Sequence, residues 1–238
     1  MSRTRILKRM GLIFLISIVV LTVITGARLF MLRGDLTSFA RYWNQRAAEE
    51  VPDNALVYVA LGDSAAQGIG ASRPEKGYVG LLEEALEDKN DQPVHVINLS
   101  VSGAKVQDVT DKQLPQLKEM KVQPGIITLA IGGNDIIQYD RDRFTEQINT
   151  LFSQLPAQTV VADIPYFGGG RYNSREQNAS DASAIIAAAA DRYELRLAPL
   201  HRVTTERDSP FIYAVDFFHP NDRGYRNWFA AFWTVLDR

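Results

Sequence analysis

Three histidines and no cysteine are the whole supply of imidazoles and thiols in this 238-residue sequence. The missing thiol excludes a cysteine nucleophile, a thiolate zinc site, a disulfide framework and a lipid-modified cysteine anchor. His95 falls inside the apolar run 94–99 and His201 directly follows the run 195–200, so both read as structural. His219 is different. It closes Asp216-Phe217-Phe218-His219 and is followed by Pro220-Asn221, and a carboxylate three residues before an imidazole can lie on the same side of a helical turn. A base and the group that orients it need that arrangement. Such a base activates a serine hydroxyl, a weak nucleophile on its own, and the oxyanion that follows needs donors aimed at it.

The elements that must position these groups follow from periodicity. Four apolar runs rich in β-branched residues, 56–61 (LVYVAL), 94–99 (VHVINL), 126–131 (IITLAI) and 159–164 (TVVADI), read as buried strands. Helical patterns lie between and after them at 80–88, 106–120, 143–155, 180–194 and 222–236. Strand and helix alternate, so the expected fold is α/β with a parallel sheet covered on both faces. Ligands bind such sheets outside the carboxyl ends of the strands. The polar and glycine-rich clusters fall there: Gly62-Asp63-Ser64, 100–103, Gly132-Gly133-Asn134-Asp135 and 165–170. Asp63 and Asp135 could serve a divalent metal, but that reading leaves Ser64 and His219 without roles, so no metal is expected. The segment 165–173 reads equally as a connector or as a substrate loop, with Tyr166 and Phe167 for an acyl or sugar group and Arg171 for an anion.

At 46% hydrophobic and 23% charged residues the chain has globular composition. Residues 1–33 hold six Lys/Arg and no acid, which leaves residues 34–238 with a net charge of -8. That acidic body argues against a nucleic-acid surface. Residues 10–27 carry no charge, and as a helix they span about 27 Å, close to a bilayer core of about 30 Å. The expected organisation is a basic cytoplasmic tail (1–9), a signal anchor (10–32), a juxtamembrane connector (33–54) and a body (55–238) outside the cytoplasm, held to the membrane through residues 10–32. The competing reading is a signal peptide cut after Ala27.

Taken together, Gly62-Asp63-Ser64 with Gly68, 98–103 (NLSVSG), Gly132-Gly133-Asn134-Asp135 and Asp216 to His219 resemble, in order, the four blocks of the SGNH (GDSL-type) hydrolases. Ala65 stands where the family's four-letter name has Leu, at a position without chemistry. The resemblance covers residues 55–238 and implies a flavodoxin-like three-layer α/β/α sandwich that hydrolyses esters without a cofactor. It implies Ser64 as nucleophile, His219 as base and Asp216 as its orienter, with the amides of Gly103 and Ser64 and the Asn134 side chain as the oxyanion hole. The expected protein is a membrane-anchored serine esterase or acylhydrolase acting on a small-molecule, lipid or glycan ester. A lysophospholipase or thioesterase, an envelope glycan O-deacetylase and an acyltransferase share the same chemistry. An inactive envelope-binding domain on the same fold is the non-enzymatic rival.

Overall fold

Five apolar runs form one parallel sheet in the computed structural model, which describes residues 3–238, apart from the side chains of 3–9, 11–13, 24–25 and 27–33. A long helix α1 (Arg3–Ala47) leads into β1 (Leu56–Gly62), the short α2 (Ser64–Gln67), α3 (Tyr78–Asn90) and β2 (Val94–Asn98). Next come α4 (Val106–Asp108), α5 (Leu114–Glu119), β3 (Ile126–Ala130), α6 (Arg141–Phe152) and β4 (Thr159–Ala162). The chain ends with α7 (Glu176–Arg192), β5 (Arg196–Ala198), α8 (Leu200–Glu206) and α9 (Asp222–Leu236). The four expected strands are β1 to β4, and β5 adds a three-residue edge. All pairings are parallel, in the order β2-β1-β3-β4-β5. This is the doubly wound order, and its direction reverses between β1 and β3, where a crevice opens beyond the strand ends.

Alternation along β1 divides the core. Val57, Val59 and Leu61 face the layer built from α4 to α7, while Tyr58 and Ala60 face α3 and α9. Helix α9 buries Tyr225, Trp228, Phe232 and Leu236, a stripe at helical spacing, and Phe232 stacks on Tyr78 at 4.9 Å between ring centroids. Helix α7 buries Ala179, Ala182, Ala189 and Ala190, whose small side chains let it lie close to the sheet. The second layer also takes in the end of α1. Phe39 and Trp43 are buried, Trp43 Nε1 donates to the Gln67 carbonyl at 3.0 Å, and Arg46 pairs with Glu83 at 2.5 Å. A fully buried large apolar side chain contributes about 1.5–3 kcal/mol, so residues 39–47 are fastened to the body.

Among the described residues no helix is long and apolar enough to cross a membrane. The expected span of 10–32 falls partly outside the described side chains, at 11–13, 24–25 and 27–32. The residues described there, Phe14, Leu15, Ile16, Ile18, Val19, Val20, Leu21 and Val23 among them, are exposed on α1.

Candidate active site

Strand β1 ends at Gly62 with φ of 145°, where an added Cβ would come within 2.3 Å of the Ala130 carbonyl oxygen. Only glycine fits so close a crossing of two backbones. The Gly62 amide donates to Gln113 Oε1 at 2.9 Å, and its carbonyl accepts from Gln113 Nε2 at 2.8 Å. Gln113 is fully buried and sits on a single π turn, Val109–Gln113, between α4 and α5. Asp63 follows, its Oδ1 accepting the Ala65 amide at 2.9 Å, and this cap starts α2 with Ser64 as its first residue. Buried polar side chains then tie α2 to the loop after β2. Asn98 Nδ2 donates to the Ala66 carbonyl, Gln67 Nε2 to the Ser100 carbonyl, both at 2.8 Å, and Ser102 Oγ to Gln67 Oε1. In the same loop Gly103 has φ of 80°. Among the described residues, no hydrogen bond uses the amide of Ser64 or of Gly103.

The opposite wall carries His219. Asp216 Oδ1 accepts the amides of Phe218 and His219, each at 3.1 Å, and Oδ2 lies 2.6 Å from His219 Nδ1. Burial would raise the Asp216 carboxyl, but hydrogen bonds and charge from the His219 ring, with the two amides, outweigh it and hold the group below its ordinary value. A carboxylate only accepts, so the shared proton belongs on Nδ1, and Nε2 faces Ser64 Oγ at 2.9 Å with its lone pair free. Ser64, His219 and Asp216, 155 and 152 residues apart in sequence from first to last, thus form one hydrogen-bonded chain. The turn that holds them is closed by the Ala214 amide on the His219 carbonyl at 2.8 Å and by Asn221, which caps α9.

Asn134 stands after β3, between these walls. Its Nδ2 donates to Asp63 Oδ2 at 3.2 Å and to the Ala104 carbonyl at 3.0 Å, which places it beside Ser64 and Gly103. Burial pushes the Asp63 carboxyl up to about 6 against the opposing pull of the Ala65 amide and His219. Asp135, also raised by burial to about 6, turns instead to the Val106 amide at 3.3 Å. The two carboxylates therefore serve different partners, and among the described residues no three His, Cys, Asp or Glu side chains converge as a metal site.

Ser64 and His219 open onto a narrow cleft of about 70 Å³ whose walls include Tyr166, Phe167, Arg171, Tyr172, Tyr213 and Trp228. All three residues singled out in the loop after β4 line it. Phe167 is buried, its amide donating to Glu176 Oε2 at 2.6 Å, whereas Arg171 is exposed with its guanidinium 5.5 Å from the Tyr172 ring centroid. His201 lies at the base of the same loop, its Nδ1 3.0 Å from the Ile164 carbonyl and its Nε2 3.4 Å from Glu176. His95 is buried within β2. Gln113 and Gln67 went unread in the sequence as supports of the site. A glutamine in a helical pattern reads as surface, and the only signal for Gln67 is its place three residues after Ser64.

Residues 60–226 match the GDSL-like Lipase/Acylhydrolase family. A protein of Bacillus subtilis (strain 168), the uncharacterized YpmR, is 27% identical in a 214-residue alignment that covers 76% of this chain and 81% of the relative. Among solved structures, a G-D-S-L family lipolytic protein from Veillonella parvula has a TM-score of 0.66 at 19% identity, over 77% of this chain and 100% of its own. An acetylxylan esterase from Geobacillus stearothermophilus has a TM-score of 0.61 at 19% identity over 76% and 94% of the two chains. An extracellular lipase from Streptomyces rimosus has a TM-score of 0.60 at 19% identity over 76% and 100%. At these identities the structures share the fold.

Proposed function

The chain belongs to the GDSL-like lipase/acylhydrolase family, and on that basis we propose that it is a membrane-anchored serine esterase, its catalytic body outside the cytoplasm, cleaving a carboxylic ester through an acyl-enzyme on Ser64. The hydrogen-bonded chain from Ser64 Oγ through His219 to Asp216, at the mouth of an apolar cleft, carries this reading. Ser64 Oγ attacks the ester carbonyl while His219 Nε2 takes its proton. The negative Asp216 keeps the ring oriented and stabilises the imidazolium. His219 then protonates the leaving alcohol, and a water activated by the same base releases the acid. The amides of Ser64 and Gly103 supply two donors to the oxyanion, and Asn134 Nδ2 the third, loosening the longer of its two hydrogen bonds.

The anchor rests on the uncharged run 10–27, on the exposed apolar side chains of α1 there, and on the continuity of that helix into the body. Four basic residues precede the run, the bias that keeps an amino terminus in the cytoplasm. The test is covalent labelling of the full chain by a fluorophosphonate probe, together with hydrolysis of an activated short-acyl ester. Labelling and turnover should both vanish in Ser64→Ala. A wild-type protein that is folded yet neither labels nor turns over would leave a binding domain on this fold as the better reading. Carbonate extraction and protease protection in intact cells test the anchor separately.

A further inference from the structure

The direction of α1 orients the active site. Its final residues, Arg46 and Ala47, lie beside His95 near the start of β2, while Trp43, one turn earlier, bonds to Gln67 in α2, beyond the carboxyl end of β1. Earlier still, Asp35 lines a depression with Gly70, Ser72, Phe211, Tyr213 and Arg223. The helix therefore enters the body at the carboxyl edge of the sheet and runs against the strands. Since it is continuous from Arg3, the segment 10–32, uncharged but for Arg28, projects outward past the edge on which Ser64 and His219 open. Asp35 is only three positions after Leu32, a helical rise of about 4.5 Å.

The exposed surface of that edge fits the same orientation. Outside residues 10–23, the large apolar side chains exposed among the described residues are Leu36, Val101, Phe211 and Phe217. Leu36 is on α1 beside the depression, Val101 is in the loop after β2, Phe211 precedes the catalytic turn and Phe217 lies within it. Tyr213 is shared between the depression and the catalytic cleft, so the segment carrying Phe211 is the partition between them. Aromatic side chains held at a membrane surface sit at the headgroup level.

We infer that the active-site mouth rests against the bilayer from which α1 emerges, with Phe211 and Phe217 set into the headgroup region, and that the substrate is a lipid acyl ester drawn from that leaflet. This rests on the anchored-esterase reading above. The reaction is the same: the lipid's acyl carbon passes to Ser64 Oγ, its alcohol leaves with the proton from His219, and water returns the fatty acid. The apolar walls beside Ser64, Phe167, Tyr172 and Trp228 among them, face the acyl group at its carbonyl end, and the short rise from Leu32 to the depression leaves little room for a bulky soluble substrate between mouth and membrane.

The absence of cysteine makes single-site labelling clean. Phe211→Cys and, in the loop at the opposite edge before β3, Gln123→Cys are labelled with an environment-sensitive fluorophore. Each full chain is placed in vesicles of phosphatidylcholine and phosphatidylglycerol carrying a shallow nitroxide lipid quencher. The probe at 211 should be quenched at least about threefold more than the probe at 123; equal quenching, or more at 123, overturns the inference. In parallel, Phe211→Ser, a change at an exposed side chain, should lower hydrolysis of a fluorescent long-chain acyl ester in the vesicles by about tenfold, in keeping with one lost aromatic anchor. Hydrolysis of water-soluble p-nitrophenyl acetate should stay unchanged. Equal rates of Phe211→Ser and wild type on the bilayer ester overturn the lipid substrate. Vesicle flotation and fluorophosphonate labelling are read on the same samples. A chain that does not float brings down the anchor along with this orientation, one that floats without labelling brings down the esterase, and one that floats and labels with equal quenching brings down the orientation alone.

Discussion

The two walls of the cleft are built by different means. On the Ser64 side, Gly62, Asp63, Gln67, Asn98, Ser100 and Gln113 are buried or backbone-locked, and buried side chains do the tying. On the His219 side, backbone turns hold Asp216 and His219, with an exposed Phe217 in the left-handed region at φ of 54° and a loop at 165–172 resting on Glu176. One wall is part of the core and the other is mounted on the surface. Nucleophile and oxyanion donors must agree in position to a fraction of an ångström, which buried, fully bonded groups provide. A substrate wall has to admit and release its ligand, which suits segments with few buried contacts.

If that contrast holds, the largest effect of a single methyl group falls at Gly62. Gly62→Ala forces a Cβ against the Ala130 carbonyl in a backbone conformation that L-residues avoid, at a residue also held at both its amide and its carbonyl by Gln113. The expected loss is on the order of 4 kcal/mol, a fall of about 10 °C or more in melting temperature. A thermal melt close to wild type would show that this wall yields as easily as the other.

Next in size is Asn134→Ala. Its donor meets an oxygen that is fully negative only near the tetrahedral intermediate, so kcat should fall by roughly 10² to 10³, about 2.7–4 kcal/mol, with KM nearly unmoved. Steady-state kinetics on one activated ester give the answer, with a melt to check the fold because Asp63 loses a buried partner. A folded variant with near wild-type kcat would remove Asn134 from the oxyanion hole.

The contrast also explains what could be read from sequence. Strands β1 to β4 were legible because short β-branched runs bounded by Gly, Asn or Pro have few other solutions; Ser64 and Asn134 stood out as polar residues just past strand ends, and His219 by the carboxylate three residues before it. The supports were not legible. Gln113 reaches Gly62 across 51 residues, and Asp63 reaches Asn134 across 71; neither pairing leaves a periodicity. Strand β5 (Arg196–Ala198) falls inside the strand-like run 195–200, but with only three residues and Arg196 exposed it shows no alternation to fix its ends. Trp43 looked like part of a connector because the Gln67 carbonyl it bonds lies in another element.

The walls should also answer pH in opposite senses. Asp63 is pushed up to about 6 by burial, so between its unfolded value near 3.8 and about 6 the folded state binds more protons than the unfolded one, and its contribution to stability is lost as pH rises through about 6. Asp216 is held low by its hydrogen bonds, so its contribution is present above the unfolded value and is lost only as pH falls through the lower folded one. Measured by denaturant unfolding, the stability difference between wild type and Asp63→Asn should therefore shift by roughly 2–3 kcal/mol in favour of the variant from pH 4 to 7. A flat Asp63 difference would mean that water reaches the carboxylate and that this wall is not sealed.

The smallest effect belongs to the strained residue on the surface wall. Phe217→Gly relieves a left-handed conformation that costs a non-glycine residue about 1 kcal/mol. It also frees the unfolded chain by a similar amount, so net stability should move by less than about 1 kcal/mol. The turn survives because the substitution leaves its bonds in place: the Arg171 amide to the Phe217 carbonyl, the Phe217 amide to the Ala214 carbonyl, and the Phe218 and His219 amides to Asp216 Oδ1. On a water-soluble ester kcat should therefore fall less than about tenfold. Phe217→Ala keeps the strain and removes the ring, so comparing the two separates conformation from contact. A melt of Phe217→Gly lowered as far as that of Gly62→Ala would show that the catalytic turn is locked by the Phe217 side chain, and the two walls would then be alike in kind.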